Sequence, residues 1–253
     1  MSGQLLFPRG RIGSCAARMR RRGGTLTQLL VVLGIIVVII ALLLPNFRRA
    51  QELEQRSQCR RNLKQIGVAL YEYHDIYGGF PPAYTVDANG KPLHSWRTLI
   101  LPYMDQQALY DKIDLSKPWD DPTNAEAYAT AMDVYHCPMA DLEQGQTVYL
   151  AVVTAESCLR PTEMRPISEI TDGTSNTMVV MEVSVKYAVP WMAPWDADER
   201  IVLSPKPDDD LHHHGGNYYI FADTSIQFLS SETETATLRD LISAAGGETV
   251  GPF

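Results

Sequence analysis

The hydrophobic pattern opens with a run that has no polar face. Residues 29–44, LLVVLGIIVVIIALLL, are apolar or Gly throughout, and Leu26 adds a turn ahead of Thr27 and Gln28. About 19 residues at 1.5 Å rise cover roughly 28 Å, close to the thickness of a bilayer core. A buried helix of a soluble domain is usually shorter and keeps a polar side. The run therefore predicts a transmembrane helix over 24–45. Beyond it the pattern changes but stays helical, with no Gly or Pro until Gly67. From Cys59 the residues Cys59, Leu63, Ile66, Leu70, Tyr73 and Tyr77 recur on one face. This predicts one helix from about 26 to 77, whose stem over 46–79 packs on a domain. Gly78-Gly79 ends it, and Pro81-Pro82 prevents its return.

Residues 80–253 predict an exported globular domain with long loops. Strand patterns cover Val148 to Val153, Thr177 to Val185, Tyr218 to Ala222 and Ser225 to Leu229. Ser95 to Lys112 has helical spacing interrupted by Pro102. Ser231 and Glu234 are spaced as a capping box for a last helix carrying Leu238, Leu241, Ile242 and Ala245, with Gly246 after it. The whole is α+β: a long N-terminal helix on a mostly antiparallel sheet.

Charge gives this pattern an orientation. The formal net charge is −8, yet residues 1–23 hold six arginines and no acid, so the remainder carries −14. An acidic body repels phosphate, which argues against nucleic-acid binding. The arginine-rich leader over 1–23 stays cytoplasmic by the positive-inside rule, and the chain after Leu44 is exported. A cleaved signal peptide predicts a shorter apolar core followed by a small-residue cleavage site. Pro45-Asn46-Phe47 and a charged stretch stand there instead, so the helix reads as a retained anchor. The basic residues Arg48, Arg49, Arg56, Arg60, Arg61 and Lys64 read as a solvated helix face.

The segment Arg22-Gly23-Gly24-Thr25-Leu26-Thr27-Gln28-Leu29-Leu30 resembles a type IV prepilin cleavage and methylation signal. The resemblance implies a prepilin peptidase that cuts after Gly23 and leaves Gly24 as the mature N-terminus. It also implies a single-pass protein of the inner, cytoplasmic membrane that contacts other pilin-like subunits. Pro45 falls where pilin helices often carry a kinking proline. Gly24 stands where the family usually has Phe or Met. Gln28 stands where it usually has Glu, a residue thought to neutralise a neighbouring subunit's terminal ammonium.

A second resemblance covers most of the exported part. SQCRRNLKQIGVALYEYH at 57–74, GGFPPAY at 78–84, SWRTLILPYMDQQALYD at 95–111, HCP at 136–138, YLAVV at 149–153, ITDGTSNTMVVMEV at 170–183 and AAGGETV at 244–250 follow one another in family order. They resemble the planctomycete pilin-like family known as domain of unknown function 1559. Its late signature is His, nine residues, then Asp-Gly. Here His213 and Asp223 match, and Thr224 replaces the Gly. Asp-Gly suits a tight turn with positive φ, so Thr224 predicts a longer or different turn. The family brings no established activity.

Cys59, Cys137 and Cys158 lie in the exported part, where disulfides persist. Three cysteines allow three pairings. Cys59 and Cys137 both fall in family-like motifs, which favours that pair over three free thiols or another pairing. Cys15 belongs to the leader.

Other chemistry is sparse. Asp208-Asp209-Asp210-Leu211-His212-His213-His214 has metal-ligand residue types, with His213 and Asp223 as candidate ligands. The plainer reading is that His213 and Asp223 flank a strand and hydrogen-bond locally to fix a loop. Trp119-Asp120-Asp121 and Trp195-Asp196-Ala197-Asp198 are aromatic-acidic loops, where Asp120 and Asp121 are candidate calcium ligands and the tryptophans a candidate sugar face. No cofactor is otherwise implied. No P-loop, dinucleotide fingerprint, HExxH or GxSxG is present, so the chain is not expected to be an enzyme. Three functions remain in view. The leading one is a membrane-anchored pilin-like structural or display protein. The others are a surface module binding glycan, solute or metal on a plain anchor, and a metal-dependent hydrolase.

Overall fold

In the computed structural model of the protein the described residues are 24–204, 211–248, 250 and 251; of 24, 25 and 42–48 only the backbone is described. The chain divides into two compact units, Met1–Ala50 and Gln51–Phe253. Helix α1, Gly24–Tyr77, begins in the first and ends in the second.

In the first unit, residues 26–41 are exposed on every side of α1. Leu26 and Leu29 are each 67% exposed and Ile36, among the least, 46%. Among the described residues no helix is long and apolar enough to cross a membrane. The expected span ends among residues without described side chains, Pro45 included. The arginine leader, Cys15 and Gly23 lie outside the described residues.

The second unit is built on the rest of α1. Most of its predicted stripe is buried: Cys59, Leu63, Ile66 and Leu70, with Ala69 beside them, are at most 1% exposed, whereas Tyr73 is half-buried and Tyr77 is 54% exposed. Gly78 takes φ +80 just past the helix, and its N–H bonds to the His74 carbonyl at 2.7 Å, a left-handed cap that only Gly adopts cheaply. Then follow β1 Tyr84–Val86, β2 Pro92–Ser95, α2 Trp96–Leu99, α3 Gln107–Tyr110 and α4 Ala125–Tyr128. Next come β3 Gln146–Thr147, β4 Tyr149–Ala151, β5 Met178–Glu182, β6 Val189–Pro190 and α5 Glu199–Val202. β7 Gly216–Phe221, β8 Ile226–Ser230 and α6 Thr235–Ile242 complete the order.

The main sheet runs β4-β5-β7-β8 with every neighbour antiparallel. These are the four strands that the apolar patterns located. β1 pairs with β2, and β3 with β6, in two small ribbons that the patterns did not show. The helical stretch from Ser95 breaks into α2, a 3-10 turn over Leu101–Met104 and α3, because Pro102 cannot continue an α-helical ladder. Before α6 the capping box does not form: Glu234 is the N-cap and makes no side-chain cap bond.

Pairing across the sheet fixes which side chains face α1. Val180 is opposite Ile220, whose Cγ2 lies 3.2 Å from where a Cβ on Gly67 of α1 would stand. Gly67 thus lets helix and sheet approach closely. Glu182 is two residues beyond Val180, and Tyr149 is its cross-strand partner, so both face α1 as well.

Arg97 locks the outer loops to this core. It is fully buried and spends all five N–H groups. Nε bonds to the Trp191 carbonyl at 2.8 Å, Nη1 to the Tyr149 carbonyl at 3.2 Å and Asp196 Oδ1 at 2.8 Å, and Nη2 to the carbonyls of Ala193 at 2.7 Å and Trp195 at 3.0 Å. At the far end, the Asp172 carboxylate accepts the N–H groups of Gly246 at 2.7 Å and Gly247 at 2.9 Å. That bond joins the ITDGTSN and AAGGETV segments.

Candidate metal and thiol centre

Four polar side chains from four separate segments converge where α1 meets the sheet. Cys59 comes from the stripe of α1. One turn on, Asn62 Nδ2 donates to the carbonyls of Asp133 at 3.1 Å and His136 at 2.9 Å. This holds the 3-10 turn Asp133–Tyr135 against the helix and sets Cys137, the next residue but one, beside Cys59. The two sulfurs are 2.8 Å apart, as free thiols. Glu182 closes β5, a strand buried at every position. His213 stands ahead of β7, its carbonyl accepting from Gly216 N at 3.3 Å and its ring edge-on to Tyr218 at 4.8 Å.

His213 Nε2 lies 2.9 Å from Glu182 Oε2 and 4.0 Å from Cys137 Sγ. One donor atom from each of Cys59, Cys137, Glu182 and His213 falls within 4.8 Å of the other three, and all four residues are 0% exposed. Neither Glu182 oxygen has a hydrogen-bond partner, nor does His213 Nδ1; the His213 Nε2 contact meets the ion-pair distance alone.

The electrostatics follow from this crowding. Burial alone would depress the His213 imidazole; contact with Cys137 and Glu182 overrides it and raises the ring to about 9. The Cys59 contact and burial push the Cys137 thiol far up. Burial, then the Glu182 charge, keeps the Tyr149 and Tyr219 phenols protonated. The centre is thus two thiols beside a buried Glu182–His213 pair. Its chemistry is of two kinds: the thiols can join, or the four donors can hold a cation that accepts S, N and O ligands.

The sequence singled out three of these four residues. Cys59 and Cys137 meet. His213 meets Glu182 rather than Asp223, because the intervening residues form β7 and place the two at opposite ends of a strand. Asp223 sits in the β7–β8 turn and accepts from Ser225 N at 2.8 Å. It lines a separate groove of about 450 Å³ with Val68, Tyr71, Glu72, Ile167, Thr174 and Thr224. Thr224 adopts φ +65, so the turn keeps the left-handed residue that Asp-Gly would supply. Lys64 Nζ holds it, at 2.8 Å from Oγ1 and 3.1 Å from the carbonyl.

Cys158 is buried without a thiol partner, and burial raises it to about 12 against the pull of Arg165. Asp208, Asp209 and Asp210 lie outside the described residues. Gly24 is the first residue of α1 and Gln28 is exposed on it.

In the aromatic-acidic loops, Trp119 and Trp195 meet edge-on at 5.9 Å, and Trp195 is 55% exposed. Three of their acids have other partners. Asp121 caps a 3-10 turn through Thr123 N and the Thr123 hydroxyl. Asp196 is buried on Arg97, and Asp198 caps α5 at Ile201 N, 3.0 Å away. Asp120 is exposed.

Glu182, Arg97 and Asn62 escaped sequence reading. Glu182 left one signal: a single acid closing an otherwise apolar strand, MVVME.

Residues 49–165 match the family described as protein of unknown function (DUF1559), which supports the family reading for that stretch. It contains Cys59, Asn62, Arg97 and Cys137; Glu182 and His213 lie beyond it. No curated protein and no solved structure matches the chain.

Proposed function

We propose that the chain is a membrane-anchored, pilin-like protein that displays its C-terminal domain outside the cytoplasm and performs no chemistry of its own. The observation that carries this reading is the surface of α1 over 26–41, apolar except at Thr27 and Gln28 and exposed all round. Water does not tolerate a patch of that extent, whereas lipid solvates it. The six arginines before it favour a cytoplasmic N-terminus, which supports a single-pass orientation in the inner membrane. The DUF1559 match is compatible with a pilin-like role. The closed centre supports a non-enzymatic role, since a catalytic site keeps a position open to water or substrate. The partners on this reading are the bilayer, a prepilin peptidase and other pilin-like subunits.

N-terminal mass spectrometry of the chain recovered from membranes tests it. A chain starting at Gly24, methylated or not, is expected. An intact leader reduces the protein to a plain signal anchor, and recovery from the soluble fraction removes the anchor altogether. A second reading, a glycan-binding module on the same anchor, is favoured by Trp195 lying open against Trp119. Saturable thermal shifts with soluble glycans, abolished by Trp195→Ala, would support it; a flat response across glycans would count against it.

A further inference from the structure

We propose that Cys59, Cys137, Glu182 and His213 form a structural site for one zinc-class cation that fastens the stem helix to the sheet. Each donor atom is of a type such an ion takes: two thiolate sulfurs, imidazole Nε2 and a carboxylate oxygen. They lie mutually within 4.8 Å, and none is in contact with solvent. In a tetrahedral site of this kind neighbouring donors stand about 3.3–3.8 Å apart, given metal-ligand bonds of about 2.0–2.3 Å. The thiols therefore separate slightly from their 2.8 Å contact and the other donors draw in.

Glu182 is the observation that favours a cation over a disulfide. A Cys59–Cys137 bond would satisfy the two sulfurs and leave this carboxylate 0% exposed, its oxygens without hydrogen bonds and only His213 beside them. Buried charge in that state is costly, and a divalent ion removes the cost for all four groups together. No Lys or Arg approaches within ion-pair distance among the described residues; the phenols of Tyr149 and Tyr219 are the other titratable groups facing the carboxylate. Binding is a proton exchange. An ion of this class takes sulfur as thiolate and imidazole as the neutral ring, so protons leave as it binds. Four protein ligands and no route for water make the site structural. It would act as a cross-link between residues far apart in sequence.

The test uses the full chain, extracted from membranes in detergent without chelator and without added metal. Elemental analysis is expected to find one zinc per chain, and intact mass after denaturing alkylation to find all exported cysteines as thiols. Replacement by cobalt should give the thiolate-to-metal absorption and visible bands of a tetrahedral site. Glu182→Gln should lose most of the metal or bind it at least tenfold more weakly, whereas Asp223→Asn and Cys158→Ser retain it. Should Glu182→Gln not fold, the cobalt spectrum of the unaltered chain still decides. A metal-free chain short by two hydrogens, with Cys59 linked to Cys137 in the peptide map, would overturn the proposal. So would metal content unchanged in a folded Glu182→Gln, or a chain that carries no zinc, takes up no cobalt and keeps its thiols.

Discussion

Thr224 shows how one residue can carry strain for its neighbours. A β-branched side chain at φ +65 costs on the order of 1–2 kcal/mol relative to glycine. Lys64 returns part of that through its bonds to the Thr224 carbonyl and hydroxyl, and the carbonyl bond does not need the side chain. Thr224→Gly should therefore raise the melting temperature by a few degrees, equivalent to about 1 kcal/mol. A lowered melting point would mean that the hydroxyl contact outweighs the backbone strain. His94 sets a pH limit of another kind. Its Nε2 donates to the Lys117 carbonyl at 2.7 Å, and burial outweighs that carbonyl and Asp114 in depressing its pKa below 6.5. The folded state thus prefers the neutral ring. The stability this confers is fully present above the unfolded value and is lost as pH falls through the lower folded value. Urea midpoints measured at about pH 7 and about pH 5 should converge partly in His94→Gln.

At the scale of elements, α1 is joined to the rest of its unit by a few directed contacts rather than by apolar area alone. Asn62 contributes two of them, to the carbonyls of Asp133 and His136. Asn62→Ala leaves both carbonyls without this partner and should cost about 2–3 kcal/mol. A loss below about half of that in chemical denaturation would show that the turn finds other donors. The elements themselves were readable to different degrees. The stem stripe and the four main strands follow from apolar spacing, because burial on one face or both repeats at the period of the backbone. β1, β2, β3 and β6 are short and part-exposed, so they carry no such period. The centre was half legible. Its cysteines and His213 stand out by residue type, but pairing His213 with Asp223 relied on the family-like spacing of His, nine residues, Asp. Strand β7 separates those two, and the register of β5 against β4 and β7 brings Glu182 in instead. Register is a property of the assembled sheet, and no single segment displays it.

At the scale of the molecule, the two units differ in what they do with their apolar side chains. Residues 26–41 place Leu, Ile and Val side chains outward around α1, whereas the second unit buries its core residues from Cys59 to Ala244. A chain truncated before Gln51 should remain monodisperse in plain buffer, and the full chain should require detergent or lipid. Light scattering on both checks this; a full chain that stays monomeric in buffer would mean that other parts of the protein cover the apolar face of α1.

The convergence of Cys59, Cys137, Glu182 and His213 also sets an order of assembly. Cys59 and Cys137 are 78 positions apart, and the last donor arrives only as β7 begins. Closing loops of that length costs entropy that is recovered only when the sheet is in register. During synthesis the stem emerges early with a polar notch in its apolar stripe, and most of the chain must follow before the notch can be filled. Until then Cys59 lacks part of the donor set that surrounds it in the finished domain. The centre would thus act as a check on completeness, closing only over a domain whose strands have found their places.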